Sequence, residues 1–191
     1  ASMSAISLAS CSFGQSNTVT PLQMLTAAVA SINGGKLLQP YIVSKIVDNN
    51  GNTVEEIQPE VRRQVISEET SAIMRSALEQ VVSANGGTNA YVKGYRIGGK
   101  SGTAQKLTDT TNSKYVFSYF VFAPADDPQV AALVMVDEPT EGQRDYANVV
   151  VGPLAAAVMK DVLPYLGIAP QYSEEELAEQ EITNPTGMIG M

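Results

Sequence analysis

Residues 99–103, which read Gly-Lys-Ser-Gly-Thr, hold the densest set of chemically active groups in the chain. Glycine lets a ligand approach the backbone closely because it carries no side chain. The ammonium group of Lys100 and the hydroxyl groups of Ser101 and Thr103 can donate hydrogen bonds to an anion. The segment therefore predicts a binding site for a phosphate or a carboxylate.

A nucleotide-binding P-loop is the phosphate alternative, since residues 94–101 match the pattern G-x-x-x-x-G-K-S/T. Residues 133–138 also resemble the apolar strand and acidic pair that hold magnesium in such proteins. A P-loop, however, follows a buried strand and opens a helix at its lysine. Residues 87–93 do not read as a buried strand and residues 107–112 are poor helix formers, so the flanking sequence disfavours this alternative.

The carboxylate alternative places residues 99–103 on an extended strand at the edge of a sheet. Such a strand can pair with a peptide-like ligand through its backbone. The tripeptide Lys-Ser/Thr-Gly is one of three signatures of penicillin-binding proteins and serine β-lactamases. Because a tripeptide is a weak signal by itself, the surrounding elements decide between the two alternatives.

Those elements predict an α+β fold with an antiparallel sheet flanked by helices. Thr20 and Gln23 form a capping box with Pro21 between them, which predicts a helix start. Ser67 caps a second helix. Further elements are predicted from periodicity and turn residues: a hairpin over 41–47 and 53–57, strands over 115–123 and 130–136 in a second hairpin, and a helix over about 148–166.

Composition excludes several functional classes. The chain has 191 residues and a net charge of −8 without a basic patch, so a nucleic-acid partner is not expected. Histidine is absent, which excludes Ser-His-Asp and Cys-His catalysis and any histidine-ligated metal within the chain. Cys11 is the single cysteine, so the sequence allows no internal disulfide. We expect no cofactor.

Taken in order, several motifs resemble the C-terminal half of the transpeptidase domain of class B penicillin-binding proteins, the division and sporulation type. The motifs are Ser-Phe-Gly-Gln at 12–15, Thr-Pro-Leu-Gln at 20–23, Asn-Gly-Gly at 33–35, the lysine strand at 98–105, and the stretches 120–126, 136–139 and 163–168. The resemblance implies a β-lactamase/transpeptidase-like fold, present here as a partial domain over residues 1–170. Residues 171–191, rich in glutamate, are expected to form a solvated, loosely ordered tail.

Two other signatures of the family separate this chain from a complete catalytic domain. No lysine has a serine three residues before it, so the Ser-x-x-Lys nucleophile is absent. Ser31-Ile32-Asn33 and Ser83-Ala84-Asn85 match Ser-x-Asn, but each ends a predicted helix before Gly-Gly and reads as a helix C-cap. We therefore expect the nucleophile and the true second signature upstream of this chain, and we expect the isolated chain to be inactive.

The resemblance also implies a role for each site residue. Lys100 would supply positive potential and proton-network contacts to the upstream signatures. Ser101 and Thr103 would bind the terminal carboxylate of the substrate, and the Thr103 backbone N–H would form half of the oxyanion hole. Gly102 would leave room for the substrate, and Gln105 is a weaker candidate for a cleft contact. Asp137 and Glu138 are expected to stabilise strand ends.

By the same resemblance, the whole protein would crosslink peptidoglycan stem peptides ending in D-Ala-D-Ala through a serine acyl-enzyme, and would bind β-lactams. Its expected place is the extracytoplasmic face of the bacterial membrane, with an upstream anchor. Expected partners are the N-terminal half of the domain and a second copy of the fragment through exposed apolar surface. A non-catalytic penicillin receptor and, less favoured, a β-lactamase remain as alternatives.

Overall fold

A three-stranded antiparallel sheet with helices against both faces forms the centre of the fold in the computed structural model. The structure describes residues 4–12, 14, 18–83, 89–106, 114–140 and 146–183. Its helices are α1 (Ala5–Ser12), α2 (Pro21–Ala30), α3 (Glu68–Val82), α4 (Ala147–Val150), α5 (Gly152–Tyr165) and α6 (Glu174–Thr183). Its strands are β1 (Lys36–Leu38), β2 (Lys45–Val47), β3 (Thr53–Glu56), β4 (Val61–Gln64), β5 (Gly98–Gln105), β6 (Tyr115–Ala123) and β7 (Val130–Asp137).

The central sheet has the strand order β5-β6-β7, with both pairs antiparallel. Lys100 lies opposite Phe120, which in turn lies opposite Leu133. The predicted hairpin of β6 and β7 is confirmed by their antiparallel pairing. A short polar link joins these two strongly apolar strands. β5 pairs with the other edge of β6, so the strand with the candidate site residues is hydrogen-bonded to the most buried strand of the sheet.

Alternation along β6 gives the sheet two separate cores. Phe117, Tyr119 and Val121 face one way and pack with buried residues of α5 such as Met159 and Leu163. The aromatic rings of Phe120 and Phe122 face the other way, against α2 and α3. Because successive side chains of a strand point to opposite faces, a strand apolar at nearly every position must be covered on both sides.

The two helices predicted from capping residues are confirmed. At α2, the backbone N–H of Gln23 donates to the Thr20 hydroxyl at 3.2 Å, while the Thr20 N–H donates to the Gln23 side chain at 2.9 Å. At α3, the Ser67 hydroxyl accepts from the Thr70 N–H at 3.1 Å. These contacts satisfy N–H groups that a helix start otherwise leaves unpaired.

Helices α2 and α3 are joined by hydrogen bonds as well as by apolar packing. Ser71, fully buried in α3, accepts from the Gly34 N–H and donates to the Ser31 carbonyl, both at 3.0 Å. Arg75 donates to the Ile32 carbonyl at 3.0 Å. Carbonyls at the end of α2 are thereby satisfied by side chains of α3, which fixes both helices on one face of the sheet.

Residues 36–65 form two short two-stranded sheets, β1 with β4 and β2 with β3. The hairpin of β2 and β3 was predicted, and its turn is held by Asp48, whose carboxylate accepts from the Asn50 and Asn52 N–H groups at 2.8 Å. All residues of β2 and β3 are exposed. This region therefore projects from the two cores rather than contributing to them.

One prediction about the C-terminal part differs from the structure. The helix predicted over about 148–166 is divided, because Val151 separates the short α4 from α5 and Pro153 lies in the first turn of α5. Residues 174–183 of the predicted tail form α6, whose first turn is exposed. No helix among the described residues is long and apolar enough to cross a bilayer.

Candidate functional site

Strand β5 presents its Lys-Ser-Gly-Thr segment at an edge of the central sheet. In the part of the chain that the structure describes, β5 pairs with one strand only, β6. The strand continues without interruption to Gln105, so Ser101 does not open a helix. This geometry contradicts the P-loop alternative, which needs a helix at that point, and agrees with the extended alternative.

The two faces of β5 carry different chemistry. Lys100 and Gly102 lie opposite Phe120 and Ser118, on the face covered by α2 and α3. The other face carries the side chains of Ser101, Thr103 and Gln105, which lie opposite Tyr119, Phe117 and Tyr115. Cross-strand partners share a face of the sheet. The ammonium group and the two hydroxyl groups therefore lie on opposite faces of the strand.

The lysine of the segment is solvent-exposed and lies over its own strand. Lys100 Nζ donates to the Ser101 carbonyl at 3.0 Å. This hydrogen bond is with a neighbouring residue of the same strand. The side chain thus places an exposed positive charge at the strand edge.

The hydroxyl of Thr103 contacts a different element. Its Oγ1 accepts a hydrogen bond from the backbone N–H of Ala147 at 3.2 Å. Ala147 is the first residue of α4, and Tyr146, the residue before it, makes no side-chain capping bond. A strand hydroxyl therefore satisfies an N–H that the start of α4 leaves unpaired.

The glycines of β5 have two distinct roles. A Cβ on Gly98 would overlap the ring of Phe122, and one on Gly99 would lie 2.6 Å from the Phe120 carbonyl oxygen. A Cβ on Gly102 would meet only Ser118 Oγ, at 2.7 Å. Packing inside the fold thus requires glycine at positions 98 and 99. At position 102 a Cβ would meet only one side-chain atom, so packing gives little reason for a glycine there.

Gln105 ends β5 and is half-buried opposite Tyr115. Asp137, the last residue of β7, and Glu138, which follows it, form ion pairs, as predicted for a strand end. Lys106 Nζ lies 2.7 Å from Asp137 Oδ1 and 2.6 Å from Glu138 Oε1, and Lys114 Nζ lies 3.0 Å from Glu138 Oε2. These hydrogen bonds lower the pKa of Glu138 and raise that of Lys106.

Sequence analysis missed the ion-pair cluster that holds the start of β5. Arg96 forms a two-pronged pair with Glu79 of α3, at 2.6 and 2.7 Å, and a further pair with Asp126 at 2.9 Å. Hydrogen bonding to Glu79 raises the pKa of Arg96 further above its already high ordinary value. A lone arginine two residues before a glycine-rich strand gives no signal of this cluster, because its partners lie far away in sequence.

The segment after α5 is tied to the same cluster. The Gln171 and Tyr172 N–H groups donate to the Gly94 carbonyl at 2.8 and 3.1 Å, and the Arg96 N–H donates to Gln171 Oε1 at 3.0 Å. The Tyr172 hydroxyl donates to Glu79 at 3.4 Å, and burial raises its pKa. The chain entering β5 is therefore fixed between α3 and the start of the C-terminal segment.

The two Ser-x-Asn matches serve local structure where the structure describes them. Ser31 is the C-cap of α2, and its hydroxyl donates to the Ala28 carbonyl at 2.6 Å. Asn33 closes the following turn by bonding both the N–H and the carbonyl of Lys36. Ser83 caps α3, while Ala84 and Asn85 lie outside the described residues. The predicted C-cap role of Ser31 is confirmed.

The described residues contain no group of three or more histidine, cysteine, aspartate or glutamate side chains that could hold a metal ion. The candidate site combines a strand edge with backbone hydrogen-bonding groups, one exposed ammonium group and two hydroxyl groups. Such a set can align a peptide-like ligand and bind an anionic end group. No nucleophile with an adjacent general base stands among these residues.

Known proteins of one family are similar to this chain. Residues 2–160 match the family described as the penicillin-binding protein transpeptidase domain. The chain is 42% identical over 190 residues to stage V sporulation protein D of Bacillus subtilis, covering 94% of this chain and 29% of that protein. It is 32% identical over 168 residues to the probable peptidoglycan D,D-transpeptidase PenA of Neisseria flavescens, covering 86% of this chain and 39% of that protein.

Solved structures show the same fold. The transpeptidase domain of Burkholderia pseudomallei penicillin-binding protein 3 superposes with a TM-score of 0.72 at 34% identity, covering 88% of this chain and 49% of that one. Penicillin-binding protein A of M. tuberculosis, solved as a ceftriaxone acyl-enzyme complex, gives a TM-score of 0.71 at 25% identity over 82% of this chain and 35% of that one. The chain thus spans half or less of the length of these relatives. The chain belongs to the penicillin-binding protein transpeptidase family.

Proposed function

We propose that this chain supplies the substrate-binding strand of a serine D,D-transpeptidase that crosslinks peptidoglycan stem peptides. The observation that carries the proposal is β5, an edge strand with an exposed lysine on one face and two hydroxyl groups on the other. An extended D-Ala-D-Ala end can pair with such an edge while its carboxylate meets the hydroxyl groups. The M. tuberculosis relative carries a β-lactam as an acyl-enzyme, which supports acyl transfer.

The proposed reaction has two acyl transfers. A serine hydroxyl outside these 191 residues attacks the carbonyl carbon of the penultimate D-Ala, and its proton passes to the departing amine. The amide bond breaks, terminal D-Ala leaves, and the stem remains as a serine ester. The amine of a second stem then attacks the ester carbonyl, forms the crosslinking amide and returns a proton to the serine.

Five residues of β5 have proposed parts in these steps. Lys100 contributes positive potential and a donor to the network around the nucleophile. Ser101 and Thr103 bind the terminal carboxylate, and the Thr103 N–H donates to the oxyanion. Gly102 gives the substrate space against the strand, and Gln105 lines the far end of the cleft.

The proposed ligands and cellular location are based on the family to which the chain belongs. Stem peptides and β-lactams are the proposed ligands, at the outer face of the bacterial membrane, with the anchor and the nucleophile in parts of the protein outside this chain. Residues 1–170 are the proposed part of the transpeptidase domain. Hydrogen bonds from Gln171 and Tyr172 to Gly94 attach the first residues of the C-terminal segment to that domain.

The test is acylation of the longer protein that carries this chain, with Lys100→Ala compared against the wild type. We expect the second-order rate constant for penicillin acylation to fall about tenfold or more, because a lost charge-assisted contact costs at least about 1.4 kcal/mol. Lys160→Ala is the matched control, since Lys160 is an exposed lysine of α5. Equal rates for the wild type and Lys100→Ala would remove Lys100 from the mechanism.

A further inference from the structure

The short helix α4 is bonded both to strand β5 and to the loop that leads into it. The Ala147 N–H donates to Thr103 Oγ1 at 3.2 Å. The next residue, Asn148, accepts from the Asn89 N–H at 3.1 Å through its side-chain oxygen. The Asn89 side chain donates in return to the Asn148 carbonyl at 3.3 Å. Two asparagines thus connect the approach to β5 with the helix that contacts its threonine.

This connection is closely packed. Ala90 and Ala147, next to the two asparagines, are 0% and 1% exposed. Gly152 is buried, and a Cβ there would lie 3.1 Å from both Asn148 Oδ1 and Asn89 Cβ. Loss of the two asparagine bonds would therefore remove hydrogen bonds that hold α4 against the loop before β5.

The contact with Ala147 restricts how the Thr103 hydroxyl can serve a ligand. A threonine hydroxyl has one O–H and two acceptor lone pairs. One lone pair is directed to the Ala147 N–H. A shift of Ala147 would therefore change the directions in which the Thr103 O–H can donate a hydrogen bond.

We propose that Asn148, paired with Asn89, is a positioning residue that orients the Thr103 hydroxyl toward the carboxylate of the substrate. The inference rests on the proposed function, in which Thr103 binds that carboxylate. Asn148 acts through Ala147 and does not touch the substrate itself. Its effect should therefore appear in how strongly the enzyme prefers a carboxylate-bearing ligand, and not in acylation as such.

The test measures acylation of the longer protein by a penicillin and by its methyl ester, and takes the ratio of the two rate constants as the carboxylate preference. Thr103→Val should lower this preference about tenfold or more, because a hydrogen bond to a charged group is lost. Asn148→Ala should lower it about three- to tenfold. Asn148→Asp keeps the side-chain acceptor for Asn89, so it should lower the preference by less than Asn148→Ala even though its added negative charge opposes the carboxylate.

Two further variants make the result decisive. Val149→Ala changes a half-exposed neighbour on α4 and should leave the preference unchanged. Asn89→Ala removes the side-chain donor and keeps the backbone N–H that bonds Asn148, so it should lower the preference by less than Asn148→Ala. If Asn148→Ala does not fold, Asn89→Ala carries the same test, and an unchanged preference there overturns the inference.

The outcomes separate the inference from the function on which it rests. If Thr103→Val lowers the preference but Asn148→Ala slows the acid and the ester equally, the positioning role is wrong and the role of Thr103 stands. If Thr103→Val leaves the preference unchanged, the assignment of Thr103 to the carboxylate fails, and the role of Asn148 fails with it.

Discussion

An added methyl group should have different effects at two glycines of β5, Gly98, which packs inside the fold, and Gly102, which is proposed to give the substrate space. We compare Gly98→Ala with Gly102→Ala in the longer protein that carries this chain. At position 98 the new Cβ would overlap the ring of Phe122, which is fully buried between the sheet and α2 and α3. At position 102 it would meet only Ser118 Oγ, at 2.7 Å, and Ser118 can turn to another rotamer.

The magnitudes follow from these contacts. Overpacking a buried site costs about 1–3 kcal/mol, so Gly98→Ala should lower the free energy of unfolding by that amount. Gly102→Ala should change it by less than about 1 kcal/mol, since the hydrogen bond from Ser118 to the Gly102 carbonyl is already long at 3.4 Å. Acylation should respond in the opposite order. One methyl group in the space of the ligand should slow Gly102→Ala about tenfold or more.

The assay combines denaturant unfolding with penicillin acylation kinetics on the same preparations. Adding Ser118→Ala to Gly102→Ala removes the internal contact, so it should restore any lost stability without restoring acylation. Restored acylation in the double variant would show that Ser118, and not the ligand, met the methyl group. Normal acylation by folded Gly102→Ala would refute the close approach of a ligand at this position.

The remaining predictions concern the ion pairs and the missing nucleophile. Arg96→Ala should cost about 2–3 kcal/mol by removing the ion-pair partner of Glu79, whereas Asp126→Asn, at a more exposed partner, should cost less than about 1 kcal/mol in the same unfolding assay. Glu138 has a pKa below its ordinary value of 4.5, so its stabilising pair with Lys106 is present above that pH and is lost as the pH falls through the lowered value. Glu138→Gln should therefore reduce stability at neutral pH, and the difference from the wild type should shrink as the pH falls below 4.5 through the lowered pKa; a difference that stays constant on acidification would refute this. The isolated chain should give no penicillin adduct by mass spectrometry, since it lacks Ser-x-x-Lys.

Local chemistry made much of the fold predictable. The capping box of Thr20 and Gln23 satisfies helix N–H groups with side chains three residues apart, so it can be recognised without any tertiary contact. The strand pair of β6 and β7 is signalled by two apolar runs with a short polar link. The extended form of β5 followed from poor helix formers after Ser101, which ruled against the competing P-loop pattern.

Features that depend on distant partners were not predictable. Arg96 reaches Glu79, which is 17 residues away, and its backbone bonds Gln171, which is 75 residues away. The bond between Ala147 and Thr103 exists only because the sheet brings α4 against β5. The break between α4 and α5 had one local signal, Pro153, which allowed either a first-turn position or a kink. Only tertiary packing selects between them.

The same limit applies inside the site. Sequence patterns named Lys100, Ser101, Gly102, Thr103 and Gln105 together, and the structure places all five on one strand. The alternation of that strand then assigns the lysine and the hydroxyl groups to opposite faces. The roles of Gly98 and Gly99 depend on aromatic rings of β6, which no pattern in their own segment reveals.

The most direct test of the central claim is mass-spectrometric mapping of the penicillin adduct on the longer protein that carries this chain. We predict one covalent adduct, on a serine outside these 191 residues, which forms more slowly when Lys100 is replaced by alanine. A folded protein that forms no adduct, or an adduct on a residue within this chain, would contradict it.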